Sequence, residues 1–272
     1  MPAASVTDMS DGDTGRGGDR IASVGTAFRI LEAVRERDSV GVTELAEALE
    51  LPKSTVHHYL ATLADDGYLA AEDGRYRLGL GLFTLGATAR TGERIFHVAK
   101  PNVDRLADAT GEQARLVVER DGRGITLYQA TGDEVDDPPT HAGDVEELHC
   151  SAAGKAFLAE LPADRLDAFL ADRALEARTP NTITDPDELR DALSTVRDRG
   201  VAFDDEERDE GVRCVASAVS DRSGELLGAI SVSAPLDRMP DERFRSEIPS
   251  RLHNVVGVVE FNTTYSEWSD AL

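Results

Sequence analysis

After Gly67 the apolar period of the chain changes from 3.6 to 2, and this switch constrains the fold more than any other feature. Tyr68-Leu69-Ala70-Ala71-Glu72 and Arg75-Tyr76-Arg77-Leu78 alternate, with Asp73-Gly74 between them. A two-residue Asp-Gly connection predicts a hairpin closed by a type I′ turn, because both central residues need positive φ. Three helical patterns come first. Ala27, Ile30, Leu31 and Val34 recur behind Thr26, a candidate cap, and Asp38-Ser39 ends that run. Thr43 is a second candidate cap, ahead of Leu45, Ala46 and Leu49. Leu51-Pro52 then breaks the chain, and Pro52 suits the first position of a third helix running to about Asp66, since its missing N–H costs nothing there. Three helices and a hairpin in residues 20–80 describe a winged helix-turn-helix.

The third helix should bury Val56, Leu60 and Leu63, which turns Lys53, Ser54, Thr55, His57, His58 and Thr62 outward. In helix-turn-helix proteins the outward side of such a helix enters the major groove. Ser54, Thr55 and Thr62 suit base edges or phosphates, Lys53 suits a phosphate, and Arg75 and Arg77 on the wing suit phosphate or minor-groove contacts. His57 and His58 point about 100° apart, so one of them faces the groove, with His58 the contact and His57 at the rim. Adjacent histidines cannot converge on one metal ion. The other reading of this polar side is a protein–protein winged helix.

The net charge of −23 opposes a polyanionic partner unless the acid lies elsewhere. It does: residues 1–19, 20–90 and 91–272 carry −3, −2 and −18, and the segment 51–64 has no carboxylate. Three lysines stand against 26 arginines, which with the acid excess resembles the surface of proteins from salt-loving organisms. A GC-rich genome gives the same arginine bias. In molar salt the screening length falls to about 3 Å, which removes most of the repulsion.

A length of 272 residues predicts two domains. The expected layout is a disordered tail over residues 1–19, the DNA-binding domain over 20–80, a linker helix over 81–100 stopped by Pro101, and an effector-binding domain over 101–272. In the last, strands over 113–119, 125–130, 214–219 and 226–234 alternate with helices over 103–109, 153–161, 163–171, 187–199 and 242–261. That mixture predicts an α+β protein whose C-terminal part is an α/β domain built on an antiparallel sheet. No apolar run is long enough to cross a membrane and the N-terminus has no signal-peptide pattern, which predicts a cytoplasmic protein. Cys150 and Cys214 lie far apart without a Cys-x-x-Cys pair, so neither a disulfide framework nor a cysteine zinc site is signalled.

Several ordered strings resemble the IclR family of transcription regulators: residues 23–31 (SVGTAFRIL), 51–57 (LPKSTVH), 60–63 (LATL), 67–69 (GYL), 148–156 (LHCSAAGKA), 200–207 (GVAFDDEE), 211–219 (GVRCVASAV) and 229–235 (AISVSAP). The resemblance covers about residues 20 to 262. It implies a GAF-like effector domain, a homodimer or dimer of dimers, binding to a palindromic promoter, and a pocket for small organic acids or sugar-derived metabolites. On the matching positions the effector would touch Ala153, Gly154, Asp204, Val212, Cys214, Ser231 and Ser233. Ser231 and Ser233, two apart on a strand, would face the same way, and Gly154 at a helix start could offer its N–H to an anion. This chain has His58 where the family usually has Arg, and Cys150 where Ala is common.

Enzyme signatures fit poorly. Gly154-Lys155 lacks the frame of a phosphate-binding loop, and the adjacent His149-Cys150 is not a nucleophile–base arrangement. Asp204-Asp205-Glu206-Glu207 reads as a solvated loop rather than a metal site. No catalytic residue, metal or cofactor is expected, and the rival reading is a metabolite-processing enzyme that retains a winged helix.

Overall fold

The computed structural model describes residues 21–270, so the tail expected at 1–19 lies outside the described residues. The chain divides between Gly92 and Glu93 into two compact units.

The first unit contains α1 (Ala22–Arg35), β1 (Val40–Gly41), α2 (Val42–Ala48), α3 (Lys53–Asp65), β2 (Leu69–Glu72), β3 (Arg75–Leu78) and α4 (Leu80–Gly92). Ile30, Val34, Val40, Leu45, Val56, Leu60 and Leu69 form its core. Each such aliphatic side chain contributes about 1.5–3 kcal/mol when fully buried. The wing is a three-stranded antiparallel sheet of order β1-β3-β2. Asp73 and Gly74 both take positive φ, 50° and 76°, as a type I′ turn demands.

Both caps differ from expectation. Helix α1 begins four residues before Thr26, whose hydroxyl donates back to the Ala22 carbonyl from inside the helix. Helix α2 is preceded by Gly41, whose N–H is taken by the Glu44 carboxylate, so an acid three residues on replaces the hydroxyl of Thr43. Pro52 precedes α3 as its N-cap rather than starting it, and of the three inward residues Leu63 is only half-buried.

The second unit contains α5 (Arg94–Thr110), β4 (Gln113–Arg120), β5 (Arg123–Thr131), β6 (Val145–Glu147), α6 (Ala152–Glu160), α7 (Ala163–Asp172), α8 (Pro186–Arg199), β7 (Ala202–Asp205), β8 (Val212–Ser220), β9 (Leu226–Pro235) and α9 (Ile248–Asp270), the last entered through a π-helical turn at Arg243–Glu247. The sheet is antiparallel throughout, in the order β6-β5-β4-β9-β8-β7.

The expected linker helix over 81–100 is not one helix. It breaks at Glu93, and α5 runs through Pro101 to Thr110, because Ile95, Ala99, Val103 and Leu106 bury one continuous stripe that outweighs the lost proline N–H. Alternation sorts the sheet into two faces. Leu116, Val215, Ile230 and Val232 pack on the side of α5 and α9, while Val117, Ala216 and Ala229 pack on the side of α6 and α8.

Candidate nucleic-acid interface and effector site

Helix α3 keeps Val56 and Leu60 in the core and exposes Lys53, Ser54, His57, His58 and Thr62, while Thr55 is half-buried and so less available than the periodicity predicts. The Thr62 hydroxyl donates to the His58 carbonyl, its local alternative to solvent. On the wing the two arginines part ways. Arg77 is exposed, whereas Arg75 reaches the Glu44 carboxylate at 3.2 Å and the Ser39 carbonyl at 2.6 Å, latching β3 to α2. Arg75 in turn holds the Glu44 carboxyl below the usual carboxylate range. The phosphate contact expected of Arg75 therefore competes with an internal role.

In the second unit the α6-facing side of the sheet carries a polar field. The register sets Asp204 opposite Cys214, Cys214 opposite Ser233 and Ser233 opposite Gln113, and in the next row Ala216 opposite Ser231 and Ser231 opposite Arg115. Directly opposed residues point to the same face, so these side chains form one surface. Asp204, Cys214, Ser231 and Ser233 are all buried, and Val212, two residues before Cys214 on β8 and opposite Pro235, is half-buried. The carboxylate run at 204–207 is thus not a solvated loop. Asp204 is drawn in by its place on β7 and accepts the N–H groups of Glu207 and Arg208 at 2.8 and 3.2 Å. Glu207 pairs with the buried Lys155 of α6. Burial pushes the Asp204 carboxyl up to about 7 against the pull of Lys155, and it raises Glu207 as well.

Sequence reasoning missed the charged members of this surface, Arg115, Glu146, Lys155, Glu207 and Arg208. Glu146 lies 2.8 Å from Arg115 and also pairs with Arg208. Burial raises its carboxyl, but the two guanidinium groups outweigh that and hold it below the ordinary range. A signal did exist for Arg115, since it is the lone cation in the alternating strand 113–118.

Gly154 departs from its expected role. Its N–H is already taken by the Ser151 hydroxyl that caps α6, at 3.0 Å. A Cβ on Gly154 would lie 2.2 Å from the Leu148 carbonyl oxygen, so the glycine serves close backbone packing. Ala153 is fully buried beside it. The Cys150 and Cys214 thiols are pushed up by burial to about 12 and about 11, unlike thiolate nucleophiles. Among the described residues no group of His, Cys, Asp and Glu could hold a metal ion.

The family model for the IclR helix-turn-helix domain matches residues 23–73, and that for the C-terminal domain of bacterial IclR transcriptional regulators matches residues 87–257. The chain belongs to the IclR family. Among its relatives, the Halobacterium salinarum "Probable HTH-type transcriptional regulator ArcR" is 35% identical over 89% of this chain and 93% of that protein. The acetate operon repressor of Salmonella typhimurium is 32% identical, covering 82% and 84%. The Thermotoga maritima IclR crystal structure aligns with a TM-score of 0.74 at 27% identity, over 89% of this chain and 98% of that one. An IclR homologue from Microbacterium hydrocarbonoxydans complexed with 4-hydroxybenzoate shares the fold, with a TM-score of 0.77 at 21% identity, over 88% and 98%. As a member of the IclR family the chain is a DNA-binding transcription regulator controlled by a small molecule, and not an enzyme.

Proposed function

We propose that this IclR-family chain regulates metabolic genes as a cytoplasmic homodimer, placing two α3 helices in successive major grooves, about 34 Å apart, on a palindromic promoter site. The observation that carries the reading is the outer side of α3 ahead of its last residue, Asp65: free of carboxylates over 53–64 and exposed at Lys53, Ser54, His57, His58 and Thr62 in an otherwise acidic protein. Thr55, Arg75 and Arg77 complete the proposed DNA contacts. A dimer is supported by the apolar surface of the first unit. Phe28 on α1 and Leu80 and Phe83 on α4 are 63%, 81% and 68% exposed, and the 13-residue α4 buries no residue. A helix that short is marginal in water and gains from a partner to cover it.

The effector is proposed to lie on the polar face of the second unit, touching Ala153, Val212, Cys214, Ser231, Ser233 and Asp204, with Gly154 shaping the wall rather than donating its N–H. Its binding shifts DNA affinity only as far as it favours one dimer arrangement over another. The acid surplus and scarcity of lysine, together with a relative from Halobacterium salinarum, support operation at high salt.

Fluorescence anisotropy with promoter fragments across a range of potassium chloride tests the reading. Sequence-selective binding that weakens with salt is expected, and Thr62→Ala should lower selectivity. Binding without sequence preference at every salt concentration overturns it.

A further inference from the structure

Arg115 is the buried cation that no motif announces. It is 2% exposed on β4, the third of six strands in the sheet order, where an apolar residue would be ordinary. One terminal nitrogen donates to Glu146 at 2.8 Å and the other lies 3.9 Å from the Cys214 sulfur. Its Nε has no hydrogen-bond partner among the described residues. The residue directly across the ladder is Ser231, fully buried, whose hydroxyl also has no partner. Two adjacent buried donors without acceptors are costly to leave unmet, by principle as well as by frequency. Directly opposed side chains on one face stand about 4.5–5.5 Å apart at Cβ, within reach of a single small group.

The ion pairs around this site leave Arg115 with a single carboxylate neighbour. Glu146 is shared by Arg115 and Arg208, and Arg208 also reaches Asp209 at 3.5 Å, whereas among the described residues Glu146 is the one carboxylate that pairs with Arg115. Lys155 and Glu207 cancel each other. Asp204, across the ladder from Cys214, forms no ion pair with an arginine among the described residues and has its carboxyl pushed up by burial.

Resting on the effector site proposed above, we infer that the Nε–H of Arg115 and the hydroxyl of Ser231 together grip one carboxylate oxygen of the effector, making Arg115 the residue that selects an anionic ligand over its neutral analogue. The guanidinium keeps its bond to Glu146 throughout, so its plane is fixed before the ligand arrives. A lysine at this position would supply charge without the second, correctly angled donor.

The test uses the full chain and four matched pairs: pyruvate and pyruvamide, glycerate and glycerol, gluconate and glucose, 4-hydroxybenzoate and 4-hydroxybenzamide. Thermal shift finds the binders and titration calorimetry gives Kd for wild type, Arg115→Lys and Ser231→Ala. At least one carboxylate should bind while its neutral partner does not, and each variant should weaken that carboxylate tenfold or more. Should Arg115→Lys not fold, Arg115→Gln, which removes the charge and Nε–H while keeping an amide donor, takes its place in the same titrations. If a carboxylate binds but neither folded variant weakens it, the Arg115–Ser231 grip is overturned and the effector site stands. If only neutral members bind, anion selection is overturned and the site again stands. If no member of either class binds, both fall.

Discussion

Asp204 lies at the conflict between burial and charge, and its protonation should be readable in stability. Its folded carboxyl sits at about 7 against 3.8 for the ordinary side chain, so the native state holds a proton that the unfolded chain has released. The stability it contributes is complete below the unfolded value, declines as pH rises from about 4, and is gone above about 7, with a slope of at most about 1.4 kcal/mol per pH unit. Asp204→Asn should flatten that part of the profile in urea melts between pH 5 and 8, whereas an unchanged slope assigns it to other groups. Gly154→Ala makes a harsher demand, because the new Cβ meets the Leu148 backbone, which cannot swing aside as a side chain can. A loss of about 3 kcal/mol in denaturant unfolding is expected. Arg75 and Arg77 offer a comparison on one strand. Arg77→Ala should weaken DNA binding with little change in melting temperature, and Arg75→Ala should lower both, since it also releases Glu44 and Ser39. Equal behaviour in anisotropy and melting assays would remove the distinction.

Among the elements, α3 carries the affinity on the proposed reading. Lys53, exposed at its start, should account for about one unit of the slope of log K against log salt for each subunit bound, and Lys53→Ala should lower the slope by that much while leaving sequence preference intact. The wing, α6, α7, α8 and the four long strands are legible in the sequence, the wing through its alternation about Asp73-Gly74 and the others as apolar-rich runs between polar breaks. The short elements are not. β1 has two residues, Val40 and Gly41, and exists through its pairing with Tyr76 and Arg75 rather than through any pattern of its own. β7 was hidden because its two acids look like solvent-facing side chains, and only the register against Cys214 and Val215 shows that Asp204 turns inward. Pro101 misleads for a similar reason. A local rule stops the helix there, yet the stripe from Ile95 to Leu106 buried against the sheet carries α5 onward. The motif positions at 204, 214, 231 and 233 share a face as the resemblance implies, but the charged residues around them come from elements far apart in sequence, and periodicity is blind to that kind of neighbourhood.

For the whole molecule the charge of −23 sets the conditions under which the rest works. Most of it lies beyond residue 90, so self-repulsion falls on the second unit more than on the first. Raising potassium chloride from roughly 0.1 M to 1 M shortens the screening length from about 10 Å to about 3 Å and should raise the melting temperature. DNA affinity should fall over the same range as counterion release is lost. A melting temperature that drops with added salt would contradict the picture of an acid-loaded surface relieved by ions. Glu146 and Arg208 give this unit a last property. Glu146 belongs to β6, one border of the sheet, and Arg208 follows β7, the opposite border, so two strands with no ladder between them are buttoned together by one carboxylate. The sheet is therefore curled into an open cuff whose rim is fastened at one stud, and a guest that tugged on that stud would be felt at both hems at once.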